Sequence, residues 1–254
     1  MELGLKDQTV LVTGSSSGVG RAAAIAFGRE GARVAVTYHE NRAGAESTQR
    51  EVEEAGGQAV IVHYDLADPG SIRSTVERIQ EEWDELNVLV NNAAPMSLSA
   101  PDRQPFEDVP LERWQSMLRS TLEGITLTIQ CALPLMRKSG WGRIVNVSSD
   151  VADRSPWAGM GPYATAKAGL NGLSRILAVE LGPVNILSNV VSLGTVLTES
   201  NQRAIPAEKQ EQIRDYTPTR RLVTPEDVAT AIVFLGSQAN RQITGETIHI
   251  TGGR

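Results

Sequence analysis

Tyr163 and Lys167 stand four residues apart, and they are the two side chains in this sequence best suited to move a proton between a protein and a ligand. On a helix that spacing puts both on one face. A free phenol ionises at about pH 10, too high for efficient proton exchange at neutrality. A nearby ammonium favours the phenolate and lowers that value. The pair therefore predicts a general acid. Y-x-x-x-K alone reads equally well as an exposed helix whose lysine reaches for water, so the weight lies in its neighbours. Upstream, Ser148-Ser149 ends an apolar run that starts at Gly142-Arg143-Ile144; that register favours Ser149 as the functional hydroxyl, with Ser148 as the structural alternative.

These residues need a scaffold, and the chain supplies one in alternating pieces. Short apolar runs occur at residues 9–12, 33–37, 59–62, 88–90, 144–147, 187–191 and 247–250, separated by longer stretches of helical period. Near-continuous apolar strands mark a parallel sheet buried on both faces. The alternation predicts an α/β fold: one Rossmann-type, doubly wound parallel sheet of about seven strands with helices on both faces, spanning residues 1–254 as a single domain. Asp68-Pro69 and Thr224-Pro225-Glu226-Asp227 look like helix starts. Gly31 and Gly56-Gly57 look like helix ends. Residues 193–224, with Pro206 and Pro218 and a charged middle, form the least regular stretch and are expected to act as a substrate lid.

After the first strand comes Thr13-Gly14-Ser15-Ser16-Ser17-Gly18-Val19-Gly20, followed by a helix-forming Ala-rich segment. Glycines here permit a tight turn and close approach of backbone to a pyrophosphate, which the free N–H groups of the following helix would bind.

Bulk properties remove other classes. The net charge is −6, so no basic face is implied and no nucleic-acid partner is expected. One cysteine, Cys131, rules out an internal disulfide and fits a reducing compartment. No secretory signal or membrane-length apolar run is visible, and a cytoplasmic protein without a membrane partner is expected. His39, His63 and His249 show no metal-ligand spacing, and no metal is expected.

Taken in order, these motifs resemble the short-chain dehydrogenase/reductase family. The glycine turn has the family's T-G-x-x-x-G-x-G form. Asp65 follows the third strand, Asn91-Asn92-Ala93-Ala94 the fourth and Ser148-Ser149 the fifth; Tyr163-x-x-x-Lys167 and Leu193-Gly194-Thr195-Val196-Leu197-Thr198 complete the set. The resemblance covers nearly the whole chain. It implies that Tyr163 protonates a carbonyl oxygen, that Ser149 hydrogen-bonds that carbonyl, and that Lys167 holds the nicotinamide ribose. It implies a cofactor site of Gly14, Ser16, Ser17, Gly18, Val19, Gly20, Asp65 with Leu66, Asn92, Ala93, Ala94, Gly194, Val196 and Thr198, together with Tyr163 and Lys167, and a homotetramer built through the helices containing Thr121 and Tyr163. Two positions depart from the pattern. Thr121 stands where the family's relay asparagine is usual, and Leu193 replaces the proline before Gly194.

At the end of the second strand, the carboxylate that would select NAD is absent. Tyr38, His39 and Arg42 stand there instead, and with Ser17 they point to NADP(H), Arg42 pairing with the 2′-phosphate. Resemblance assigns the substrate wall to Pro95, Met96, Ser97, Val151, Arg154, Trp157, Met160, Ser192 and Leu193. Met96, Trp157 and Met160 would suit a flat, apolar ketone. The expected function is an NADPH-dependent ketoreductase, with an aromatic polyketide of the angucycline type, in antibiotic biosynthesis, as substrate. The alternatives are a 3-oxoacyl-carrier-protein reductase, an alcohol dehydrogenase running oxidatively, and a non-catalytic dinucleotide-binding regulator.

Overall fold

The computed structural model describes residues 2–94, 105–154 and 159–254. Seven strands, β1 (Thr9–Val12), β2 (Arg33–Tyr38), β3 (Gln58–His63), β4 (Val88–Asn91), β5 (Gly142–Ser149), β6 (Ile186–Leu193) and β7 (Thr247–Ile250), form one sheet in the order β3-β2-β1-β4-β5-β6-β7. All pairings are parallel. Each apolar run of the sequence thus supplies one strand.

Alternation along the strands divides the core in two. Val10, Val12, Val34, Val36, Val88, Val90, Val145 and Val147 face a layer containing α1 (Gly18–Arg29) and α9 (Pro225–Gly236). Leu11, Ala35, Leu89 and Ile144 face α3 (Pro69–Trp83), α5 (Gly124–Lys138) and α6 (Gly161–Leu181). Both faces being covered is why the strands are largely apolar; polar residues buried in them, such as Asn146 and Asn189, are hydrogen-bonded. α2 (Arg42–Glu54) completes the first layer beside α1, and α4 (Leu111–Leu118) packs on α6 in the second.

Local chemistry fixes the helix ends. Asp68 accepts from the Gly70 amide at 2.8 Å just before α3. Thr224 and Asp227 form a reciprocal capping box at the start of α9. Gly31, with φ +73°, follows α1 in the left-handed conformation that glycine adopts without penalty. One π-helical turn, Arg119–Glu123, joins α4 to α5. The irregular stretch after β6 holds two further helices, α7 (Glu199–Ala204) and α8 (Ala207–Tyr216), neither of which buries a residue. With no apolar stripe to announce them, they read from sequence as loop.

The strand order reverses between β1 and β4. Ligands of open α/β sheets bind at such a switch point, outside the strands' carboxyl ends.

Candidate active site

At that switch point the glycine turn is locked from below. Thr13 Oγ1 donates to the Val90 carbonyl at 3.2 Å and accepts from the amides of Asn92 at 2.9 Å and Ala93 at 3.0 Å. The Asn92 side chain donates to the carbonyls of Thr13 and Gly14 at 2.9 and 3.1 Å. Ser15 lies wholly buried and braces β1 to β2, its hydroxyl donating to the Val12 carbonyl and accepting from the Thr37 amide, both at 2.8 Å. Ser16 is half-buried and Ser17 exposed. Ser17 opens α1 without a side-chain cap, so the first-turn amides of that helix keep their donor capacity. A Cβ at Gly20 would lie 2.3 Å from the Gly14 carbonyl oxygen. Gly14 and Gly18 have φ of +67° and +55°. Backbone this close, with free amides and the positive end of a three-turn helix beyond it, fits a diphosphate.

Opposite Gly18 stands Thr198, whose methyl would lie 3.3 Å from an added Cβ. Thr198 also caps α7 by accepting from the Asn201 amide at 3.2 Å. Val196 is buried and bridges in parallel to Val223. Ala93, Ala94 and Gly194 are half-buried around the same opening.

The proton-moving set comes from β5 and α6. Ser148 is buried, its hydroxyl donating to the Lys167 main-chain carbonyl at 3.2 Å, whereas the next residue, Ser149, lies at the strand's open end. Ser149 Oγ accepts from the Val151 amide at 3.3 Å and reaches the Asp150 carboxylate at 3.5 Å. Tyr163 and Lys167 occupy one face of α6, with Lys167 Nζ 5.8 Å from the centre of the phenol ring. Burial pushes the Tyr163 phenol above its ordinary value, while hydrogen bonding by Ser149 pulls it down and the Asp150 charge pushes it up. The lowering by Lys167 that the sequence suggests does not emerge. Lys167 is itself buried, its ammonium donates to the Val147 carbonyl at 2.8 Å, and desolvation lowers its pKa to about 8. Thr121 lies fully buried in the π-helical turn, its hydroxyl directed at Met117 Sδ 3.5 Å away.

At the end of β2, Tyr38 is half-buried and meets His63 edge to face, with ring centres 5.5 Å apart. Arg42 lies 6.0 Å from the centre of the Tyr38 ring, and its Nε is 3.0 Å from Glu46. So Arg42 is engaged at the surface rather than standing free. His39 Nε2 is 3.5 Å from Asp65 Oδ2, and Asp65 also accepts from the Ala67 amide at 2.8 Å. Leu66 is buried, and a Cβ at Gly124 would meet its carbonyl oxygen at 2.1 Å, so α5 and this turn approach as only glycine allows.

Not every residue expected in the substrate wall faces it. Ser192 is wholly buried in β6 between Ser148 and His249, and Leu193 packs in the core beside Val191. The reason is that β6 continues through Leu193, which keeps both side chains inside the sheet sandwich. Val151 and Met160 are half-buried and Arg154 is exposed. Pro95, Met96, Ser97 and Trp157 lie outside the described residues. Sequence reasoning missed Asp150, Asp153, His249 and Arg254, which gather next to Ser149. Asp150 had one available signal, its place immediately after the strand-end serines.

Among the described residues, no cluster of His, Cys, Asp or Glu could hold a metal ion, and no helix is long and apolar enough to cross a membrane.

Residues 14–254 match the family model described as enoyl-(acyl carrier protein) reductase. The chain is 36% identical to the L-rhamnose 1-dehydrogenase (NAD(P)(+)) of Azotobacter vinelandii, over 98% of this chain and 97% of that protein. It is 35% identical to the 3-oxoacyl-[acyl-carrier-protein] reductase of Aquifex aeolicus, over 100% of this chain and 99% of the other. Among solved structures it resembles a 7α-hydroxysteroid dehydrogenase complexed with NADH and 7-oxoglycochenodeoxycholic acid, with a TM-score of 0.91, 29% identity, and coverage of 99% of this chain and 96% of that one.

Proposed function

The chain belongs to the short-chain dehydrogenase/reductase family and is an NAD(P)-dependent oxidoreductase; from that premise we propose that it interconverts a ketone and a secondary alcohol, with NADP(H) preferred and Tyr163 as the group that gives and takes the proton. The observation that carries the reading is the grouping of Ser149, Tyr163 and Lys167 at the open end of β5.

The cofactor supplies or accepts the hydride. The chain's own residues do the rest. The hydroxyls of Ser149 and Tyr163 hold the substrate's carbonyl oxygen, and as negative charge grows on that oxygen Tyr163 neutralises it with its proton. A phenol whose pKa burial has raised stays protonated at neutrality, which suits the reductive direction. Lys167, with a pKa of about 8, carries its charge at neutral pH and is pinned by Val147 to the floor of the site. Thr121 is assigned to the proton relay by resemblance; here its hydroxyl faces Met117 Sδ and would have to turn from that sulfur to hold a relay water.

Preference for NADP(H) rests on Tyr38 standing where a carboxylate would repel a 2′-phosphate, and on Arg42 and His39 beside it. The Arg42–Glu46 pair is exposed and screened by solvent. A charge-assisted bond from Arg42 to a 2′-phosphate is stronger than that screened pair, so the phosphate wins. Arg42→Ala should therefore raise the Kd for NADP+ about tenfold and leave that for NAD+ unchanged. An equal shift in both, read by fluorescence titration, removes Arg42 from the phosphate site.

Residues 193–224, carrying α7 and α8, would close over the substrate. The exposed Ile176 and Val179 on α6 suit the assembly of a homotetramer. An aromatic polyketide ketone remains the second reading, favoured by the half-buried Met160 at the head of α6; the charge around Ser149 favours a more polar substrate. Tyr163→Phe tests the central claim: NADPH consumption with a ketone panel should fall about 100- to 10,000-fold while NADPH still binds. Turnover that survives in this variant overturns the assignment of the acid.

A further inference from the structure

Beside Ser149 lies a charged rim that the proton transfer does not use. Arg254 Nη2 is 3.6 Å from Asp150 Oδ2, too far for a strong bond. The same guanidinium stands over Gly194, where an added Cβ would meet Nη2 at 2.9 Å and Asp150 Oδ2 at 3.5 Å. The main chain of Arg254 is held in place: its main-chain oxygen accepts from Arg154 Nη1 at 2.8 Å and from Thr251 Oγ1 at 3.0 Å. Arg154 is in turn 3.9 Å from Asp153, whose carboxylate meets His249 Nε2 at 2.8 Å. So β7 and the turn after β5 fix the backbone, while the side chains of Asp150 and Arg254 both remain 25% exposed at the mouth of the site.

Two features indicate what these side chains would bind. First, both have hydrogen-bond capacity to spare: a guanidinium offers five donors and an ionised carboxylate about four acceptor positions, of which their mutual contact and the long reach of Ser149 Oγ to Asp150 Oδ1 use only part. Second, the rim carries both signs, Asp150 and Asp153 beside Arg154 and Arg254, with His249 against Asp153. Such a mixed wall offers an anion no concentrated positive patch. It does present an acceptor and a donor side by side, which matches neighbouring hydroxyls, each of them donor and acceptor at once.

We propose that Asp150 and Arg254 are specificity-determining residues for a neutral, polyhydroxylated substrate, Asp150 accepting from one hydroxyl and Arg254 donating to the next. This rests on the reading of Ser149 and Tyr163 as the place where the carbonyl reacts. It extends that reading to the carbons flanking the reacting one, whose hydroxyls would face the rim between Ser149 and Gly194.

The test compares Arg254→Met and Arg254→Lys with the unaltered protein, using NADP+ and two alcohols. L-rhamnose serves as the polyhydroxylated probe and cyclohexanol as the probe with a single hydroxyl. Arg254→Met should raise KM for L-rhamnose tenfold or more and leave kcat/KM for cyclohexanol within twofold, and Arg254→Lys should recover part of the loss. Equal falls for both alcohols, no change for either, or oxidation of cyclohexanol without L-rhamnose by the unaltered protein overturns the proposal while leaving Tyr163 in its role. Should neither alcohol turn over, calorimetric titration of L-rhamnose into NADP+-saturated Tyr163→Phe still decides. Binding that weakens about tenfold on adding Arg254→Met supports the rim; absent or unaltered binding overturns it.

Discussion

Around the glycine turn, Gly14 and Gly20 are hemmed in by backbone and by the Asn92 side chain; in the stretch after β6, proposed above to cover the substrate, α7 and α8 bury none of their residues. One side is held by Thr13, Ser15 and Asn92, each bridging two or more main-chain groups across β1, β2 and β4. The other is tied mainly through local bonds, such as those from Gln210 Nε2 to the carbonyls of Ile205 at 2.8 Å and Gln202 at 3.3 Å. A pocket for an invariant diphosphate gains from being preformed, because little ordering is left to lose on binding. A cover over a substrate must open, and segments with few buried apolar contacts open at low free-energy cost.

The largest expected effect strikes the rigid side. Gly20→Ala puts a methyl 2.3 Å from the Gly14 carbonyl oxygen and 2.6 Å from Asn92 Nδ2, and neither is the end of a flexible chain. The turn must deform, and overpacking of this kind costs about 1–3 kcal/mol or more. Dinucleotide affinity should fall by about 5- to 150-fold and the melting temperature should drop. An affinity within fivefold of the unaltered protein, by titration of NADPH fluorescence, would mean that the turn is softer than its packing suggests.

Next comes the floor between the two sides. Lys167 has its pKa lowered to about 8 by burial, from an ordinary 10.5. Below pH 8 both the folded and the unfolded chain hold the proton, and the cost of burying the charge is fully present. Between about 8 and 10.5 the unfolded chain keeps the proton that the folded one has released, so stability rises with pH. At about 1.4 kcal/mol per unit, the gain across that window is roughly 3 kcal/mol relative to Lys167→Met, in which nothing titrates at this position. Denaturant unfolding of both proteins at pH 7, 9 and 10.5 measures it; parallel curves would show that the ammonium is better solvated than its surroundings imply.

The same contrast explains what could be read from the sequence. All seven strands were legible, because strands of a sheet covered on both faces are mostly apolar even where buried polar residues such as Asn146 and Ser188 interrupt the run, and the caps at Asp68 and Thr224 follow from local hydrogen bonding alone. The glycine turn was legible for the same reason: its constraint is local. The charged rim was not. Asp150, Asp153, His249 and Arg254 are about a hundred residues apart in two groups, and each alone reads as a solvated charge. Only the pairing of β5 with β6, Ser149 beside Leu193, and of β6 with β7, Leu193 beside Ile250, brings them together. Ser192 was misplaced for a related reason, since sequence pattern locates a strand end only to within a residue or two. α7 and α8 escaped notice because helices that bury nothing leave no stripe.

A smaller effect should appear on the substrate side. Amides of α8 such as Gln210 and Ile213 should exchange with solvent by local opening, at least about a hundredfold faster than Leu11 and Val90 in the sheet. Hydrogen-exchange mass spectrometry reads this directly, and equal protection in the two regions would remove the case for a cover that opens.

The smallest effect distinguishes a glycine that is needed from one that is not. Gly172 lies inside α6 with nothing within 4 Å of an added Cβ, in contrast to Gly20. Alanine there should stabilise the helix by about 0.5–1 kcal/mol, since glycine in a helix interior forfeits that much. For a chain of this length the melting temperature should rise by a few degrees. Ile176 and Val179 follow at helical spacing and are 51% and 72% exposed, so Gly172 shares the face they expose. A fall in melting temperature would therefore show that Gly172 is constrained by its surroundings as Gly20 is.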